Sequence, residues 1–378
     1  MIYLDYNATA PLRPEVFAAM KPFLTERWGN PSSSYSFGSQ LKAEIEAARR
    51  SVAKLVNVNA SEVVFTGSAT EADNTALNAA LVAQPGKRHL ITSAVEHSAV
   101  LNHCHFLESQ GVRITRLPVD REGLLDFGGL EAALAEDTAL VSLMWANNET
   151  GVIFPVAEVA ALCRARGVPF HCDAVQAAGK LPADLKAVPI DYLSLSAHKL
   201  GGPKGVGALV VRKGAPFAPS LHGGHQEKGR RGGTENVAGI VGFGCAAELA
   251  AKELPGYAAQ VQPLRDRLET ELLARVAGAE RNGHATRRLP NTSSLTFPGI
   301  ESEALLLLLD QAGVCASAGS ACLADSDEPS HVVRAMKPES AAARQMVRFS
   351  LGRETAATEV TSAIEAVVRA AQTLRRME

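Results

Sequence analysis

The sequence predicts an α/β protein with two domains. The larger is a mainly parallel sheet covered by helices, and the smaller is an α+β unit. Three observations carry this. Between residues 62 and 211, short runs rich in β-branched and aromatic residues alternate with helix-patterned runs, and Gly or Pro punctuates them. Such alternation gives parallel strands joined by crossover helices. Beyond residue 255 the texture changes to strands and helices of a different spacing. The chain has 378 residues, 46% hydrophobic and 21% charged, so it can bury more than one core.

The elements follow in order. Pro14 to Leu24 is a short helix. Ser39 to Val56 is a longer one, since Leu41, Ile45, Ala48, Val52 and Leu55 recur at helical spacing with charges between. The strand EVVF (62–65) precedes the helix ATEADNTALNAALVA, and HLITS (89–93) precedes HSAVLNHCHFLES. RITRL (113–117) and ALVSLM (139–144) are strands, and PVAEVAALCRARG is a helix closed by Gly167. VPFHCD, DYLSLS and GALVV are further strands. From Val237 to about Val276 the pattern is helical, with a break predicted near Pro255. SSLTF, the helix ESEALLLLLDQAG, VCASAG, MVRFSLG and a closing helix complete the smaller unit. The division is therefore 16–254 for the large domain, and 1–15 with 255–378 for the small one.

Composition excludes several classes of function. A net charge of −2 argues against nucleic acid or an anionic membrane as the main partner. The longest purely apolar run, Ala304 to Leu309, is too short to span a bilayer. The opening MIYLDYNATAP has no basic segment and reaches Asp5 at once, so no signal peptide is expected. Six cysteines without a C-x-x-C pair fit a reduced, cytoplasmic protein with free thiols.

In open α/β sheets, ligands gather at the carboxyl ends of the strands. Five predicted strands end in polar or ionisable residues: Thr66 to Glu71, Glu96-His97, Asn147-Asn148-Glu149, Asp173 with Gln176, and His198-Lys199. One such group is usually a cap or solvated surface, whereas five on one rim point to a site. TGSAT opens a helix with small and hydroxyl residues. It is either a plain N-cap or an anion site made of exposed N–H groups. It lacks the lysine of a nucleoside-triphosphate loop, and GIVGFG has the wrong glycine order for a dinucleotide fingerprint; helix packing explains it better. His103, Cys104 and His105 are adjacent on a helix and point different ways, which disfavours a metal site.

The stretch SLSAHKLGGPKGVG puts Lys199 at the end of a buried strand. A lysine is costly there unless it is paired or chemically used. Beside a phosphate site it can form a Schiff base with pyridoxal phosphate, with Asp173 on the pyridinium nitrogen and His97 on the ring face.

YLDYNATAP, GNPSS, FTGSATEADN, EHSAV, NNETG, HCDAVQAAGK, SLSAHKLGGPKGVGAL, GRRGGTEN and ASAGSACLADSDEPSHV stand in this order along the chain. Together they resemble the NifS/IscS-type cysteine desulfurases, fold-type-I pyridoxal-phosphate enzymes of the class V aminotransferase group. The resemblance runs nearly end to end. It implies a seven-stranded sheet, and Lys199 as the carrier of the cofactor aldehyde. It places Asp173 and Gln176 on the pyridine nitrogen and phenolic oxygen, and Ala69, Thr70, Ser196 and His198 around the phosphate. Thr234 would reach that phosphate from the other subunit of a homodimer. Asn148, Asn7 and Arg348 would meet the substrate, with Arg348 clamping its carboxylate, a task that suits a guanidinium fork.

The implied reaction takes sulfur from L-cysteine, releases L-alanine and leaves a persulfide on Cys322. An iron–sulfur scaffold protein would then receive the sulfur. No intrinsic metal is implied, although Cys322 could transiently ligate a 2Fe–2S cluster shared with that scaffold. GTEN and the long Cys322 loop lean towards the NifS-like branch, and so towards nitrogen fixation. A selenocysteine lyase or another class V relative is the alternative. Cys315, in AGVCAS, reads as a buried small hydrophobe. Asp325, Asp327 and Glu328 should keep Cys322 a thiol at rest. Its proton would leave near the cofactor, to His97 or to a bound-substrate group.

Overall fold

The computed structural model describes residues 1–319 and 329–376; Cys322, Asp325, Asp327 and Glu328 lie outside the described residues. The chain begins with β1 (Ile2–Tyr3), α1 (Pro14–Thr25), α2 (Ser36–Ser39) and α3 (Leu41–Leu55). The alternating part runs β2 (Val63–Thr66), α4 (Ala69–Val82), β3 (His89–Ser93), α5 (Ser98–Ser109), β4 (Arg113–Leu117), α6 (Phe127–Ala133), β5 (Thr138–Met144), α7 (Val156–Ala165), β6 (Phe170–Asp173), β7 (Tyr192–Ser196) and β8 (Gly207–Val211). Then come α8 (Val237–Arg275), β9 (Glu280–Arg281), β10 (Thr292–Thr296), α9 (Ser302–Gln311), β11 (Val314–Cys315), α10 (His331–Met336), β12 (Met346–Ser350) and α11 (Ala357–Arg375).

Among the described residues, seven strands form the central sheet in the order β2-β8-β7-β6-β5-β3-β4. The strands from β7 to β4 in that order are mutually parallel, and β8 runs against both its neighbours. The inner strands are buried on both faces, as parallel strands between helix layers must be. The edge strand β4 is instead protected by charge: Arg113 pairs with Asp137 and Arg116 with Glu108. Because the parallel strands point the same way, their carboxyl ends share one rim.

The structure departs from the sequence reading at two places. The first is the helix from Val237, which is one continuous element to Arg275 and passes through Pro255 and Pro263 without a break. Each proline removes one N–H from the ladder, but packing on both sides of the prolines holds the backbone helical. Before Pro255, Ala247 and Phe243 sit in the core under the large sheet; after it, Tyr257, Val261 and Leu268 sit in the core of the C-terminal elements. The glycines of GIVGFG serve this packing. A Cβ on Gly242 would lie 2.6 Å from Met20 Sδ, and one on Gly244 would lie 2.5 Å from Ala48 Cα. The second departure is Cys315. It is half-buried rather than buried; among the described residues its strand β11 pairs only with the short β1.

The remaining strands form a three-stranded antiparallel sheet, β12-β10-β9, covered by α9 and α11. The N-terminal segment joins both regions. Leu4 belongs to the core of the C-terminal elements, while Ala10 and Arg13 donate backbone bonds to the His198 and Gly201 carbonyls.

Candidate active site

The rim of the sheet opens on a cavity of about 420 Å³. Asn7, Ala69, Thr70, His97, Asn148, Asp173, Gln176, Ser196, His198, Lys199 and Arg348 all line it. They come from separate strand ends, a helix start, the N-terminal segment and β12.

Ala69 and Thr70 begin α4, which Ser68 caps by accepting from the Glu71 N–H at 3.1 Å. Gly207 lets β8 approach this helix start; a Cβ there would fall 2.8 Å from the Ala69 nitrogen. His97 caps α5 through Nδ1, which accepts from the Ala99 N–H at 3.1 Å. In the neutral ring the proton therefore sits on Nε2. Burial, then Lys199 and His331, push its pKa down to about 4. Asp173 ends β6, and its Oδ1 accepts from the Val175 N–H at 2.9 Å. Burial raises its pKa to about 6 against the opposing pull of that N–H and of Lys199.

Lys199 sits in a single turn after β7. Its ammonium donates to the Asn7 carbonyl and, at 2.8 Å, to the Ala8 carbonyl. His198 Nδ1 is hydrogen-bonded to Thr9 Oγ1 at 3.1 Å, and its pKa is lowered to about 4 by burial and then by Lys199 and Lys204. Arg348 is buried. Its Nη2 pairs with Asp5 at 2.6 Å, and its Nη1 donates to the Asn148 carbonyl at 3.0 Å.

Not every strand-end residue reaches the cavity. Glu71 turns to Arg231 and the Gly67 N–H. Glu96 is buried beneath, held by Ser93 Oγ and the Met144 N–H. Asn147 accepts from Glu149 and Thr150 and shapes the turn. Glu149 turns to Ser330. Thr234 is exposed and lines a separate hollow of about 140 Å³ beside Arg231 and Glu235. His103 meets Asn78, Cys104 enters a hydrophobic core and His105 is exposed, so the three diverge.

Sequence reasoning missed three participants. Asp73 lines the cavity from inside α4, a position that reads as one more helical residue. Its neighbour His171 bridges Ser142 and Ser194. Lys180 lies buried behind Asn7 and Gln176. The spacing of Gln176 and Lys180, four apart in AVQAAGK, was the available signal.

The lining fits pyridoxal phosphate. Asn148 Oδ1 is buried without a hydrogen-bond partner, as expected of an atom left for a ligand, whereas Asp73 Oδ1 lies 3.5 Å from His171 Nε2. A helix start with Lys204 nearby suits the phosphate, and a carboxylate beside a lysine suits a pyridine nitrogen and an aldehyde.

A fold of this kind with a lysine at this rim defines a class, and comparison with known proteins agrees. Residues 2–362 match the family Aminotransferase class-V, and the chain belongs to that family. Its enzymes depend in general on pyridoxal phosphate. The chain is 51% identical to the cysteine desulfurase of Trichormus azollae, over 100% of this chain and 94% of that one. It is 50% identical to cysteine desulfurase NifS of Azotobacter vinelandii, over 97% and 91%. A solved NifS-like protein superimposes with a TM-score of 0.91 at 38% identity, over 97% of this chain and 98% of that one.

Proposed function

We propose that the chain is a pyridoxal-phosphate-dependent cysteine desulfurase that converts L-cysteine to L-alanine and stores the sulfur as a persulfide on Cys322. The observation that carries this is the convergence of eleven sequence-predicted residues on one cavity, with Lys199 at its edge. Near-50% identity to cysteine desulfurases over the whole chain supports the choice of substrate.

When bound, the cofactor supplies an aldehyde for an amine and a ring that withdraws electrons from the α-carbon. Asp173, buried at the end of β6, would hold the ring nitrogen. Ala69, Thr70, Ser196 and His198 would hold the phosphate, and Gln176 the phenolic oxygen. Lys199, aimed by the Asn7 and Ala8 carbonyls, would carry the aldehyde at rest and move the α-proton once substrate replaces it. Arg348 would bind the substrate carboxylate with Asn148 and Asn7 beside it.

Cys322 would attack the substrate sulfur. An S–S bond forms, the Cβ–S bond breaks, and the carbon keeps the electron pair and is protonated. Thiol plus cysteine thus gives persulfide plus alanine with no outside oxidant. At neutral pH His97 is a neutral N–H donor with little basicity, which favours the substrate as acceptor of the Cys322 proton.

Exposed Thr234, beside the hollow next to the cavity, supports a homodimer in which it meets the partner's phosphate. The acceptor of the sulfur is proposed to be an iron–sulfur scaffold protein. Among the described residues no helix is long and apolar enough to cross a membrane.

Mass spectrometry of the protein after L-cysteine treatment tests the reading. One added sulfur, mapped to Cys322, is expected; sulfur on another cysteine, or none, rejects it.

A further inference from the structure

Lys180 is only 6% exposed, on the turn after β6. A buried ammonium normally sits against a carboxylate. Among the described residues Lys180 makes no ion pair. Instead its Nζ donates to Gln176 Oε1 at 2.7 Å and to Asn7 Oδ1 at 3.1 Å. The charged groups that bear on it are Lys199 and Arg348, both cationic, and Arg348 already holds Asp5. Behind it, in a second cavity, Arg13 and Arg353 are paired with Glu253. Burial, then Lys199 and Arg348, hold its pKa well below the usual lysine range. Two amide oxygens, and among the described residues no carboxylate, receive its N–H groups.

Those two bonds decide how both amides lie. With Oε1 committed to Lys180, Gln176 must turn its NH₂ the other way, and Nε2 donates to the Asn7 carbonyl at 2.9 Å. Its second N–H is then the one that can face the cavity. With Oδ1 accepting from Lys180 and Asn291, Asn7 directs Nδ2 to the Asn148 carbonyl and to Thr292 Oγ1. The Asn7 carbonyl, fixed from both sides, is the one that receives Lys199.

We propose that Lys180 is a positioning residue: as a donor to two amide oxygens it sets the Gln176 amide and the Asn7–Ala8 carbonyls that aim Lys199. This deepens the proposed function and rests on Lys199 being the cofactor's carrier. A structural filler would need no donors, and a neighbouring charge would act on Lys199 with the opposite sign. The ammonium form of Lys199 is stabilised by ordered carbonyls, so disordering them lowers its pKa.

The test uses the full chain freed of cofactor. Acylation of Lys199 by acetic anhydride is followed against pH by peptide mass spectrometry. Lys180→Met should lower the midpoint by about one pH unit, the worth of a weakened hydrogen bond to a charged group. Lys180→Gln, which keeps two N–H donors on a shorter stem, should shift it by less than Lys180→Met. If Lys180→Met does not fold, the Gln variant alone must still shift downward. An unchanged or raised midpoint, or equal shifts in both variants, overturns the proposal. Borohydride trapping of pyridoxal phosphate on wild-type Lys199 tests the underlying reading separately. Trapping without a midpoint shift rejects the role of Lys180 alone.

Discussion

Glu269 and Asp173 are both buried carboxylates, at 4% and 8% exposure, and they are built in opposite ways. Glu269, on α8 under the three-stranded sheet, is saturated. It accepts from both terminal nitrogens of Arg288, from Arg281 at 3.1 Å and from Ser293 Oγ at 2.8 Å. Burial pushes its pKa up, but Arg288, Ser293 and Arg281 prevail and hold it below the usual range. Asp173 accepts one backbone N–H, faces Lys199 across a cavity, and is left near 6. A carboxylate that only holds the fold is satisfied by its own chain. One that serves a ligand is left with capacity to spare.

The comparison can be broken most forcefully at the partner of Asp173. Lys199→Ala should lower alanine formation from cysteine about ten-thousandfold, the upper range for a positioned acid–base group. A loss of only about tenfold would remove Lys199 from the chemistry. Asp173→Asn should cost about a hundredfold to a thousandfold in turnover, as loss of one preorganised electrostatic partner does. The variant should melt close to wild type, since its side chain spans no network. Glu269→Gln should do the reverse. It leaves Arg288 buried beside a neutral amide, and breaking such a pair costs about 3–5 kcal/mol of stability. Urea unfolding should show that loss, while the folded enzyme keeps its turnover. If Asp173→Asn unfolds the protein or Glu269→Gln abolishes chemistry, the contrast fails.

Much of this was legible in the sequence, because the strand-end rule and the motif order both act at short range. Lys199, His97 and Asn148 come within four residues of a strand's end and Asp173 ends one, so period and punctuation placed them on the rim. The unbroken helix was not legible. Pro255 reads as a stop, and only the two cores on either side of it explain why the helix persists. Lys180 and Asp73 escaped for a similar reason. Each lies on an ordinary helix or turn: Lys180 becomes meaningful only when Asn7, from the chain's start, crosses the site, and Asp73 only when α4 packs beside His171 of β6. Strand-end position alone does not tell which of two adjacent polar residues faces inward; the family resemblance singled out Asn148, which lines the cavity, while Asn147 ties the turn.

Glu96 offers the smallest and most graded test. It lies between the two extremes. Ser93 Oγ and the Met144 N–H occupy Oε1, while Oε2 is buried without a hydrogen-bond partner. Burial raises its pKa to about 8, with Ser93 and Met144 opposing and Asp173 adding to it. The folded state therefore keeps a proton that the unfolded chain gives up near the ordinary glutamate value of about 4.3. This stability is full below that value and is lost as pH rises towards 8. Glu96 alone should make wild-type stability fall by up to about 1.4 kcal/mol per pH unit across the middle of that window. Glu96→Gln keeps an uncharged side chain at all pH values, so denaturant unfolding of the variant between pH 6 and 8 should show a slope shallower by about that amount. An unchanged slope would mean that Glu96 is ionised and satisfied like Glu269, and the division between the two kinds of buried carboxylate would then have to be drawn at the cavity wall, not beneath it.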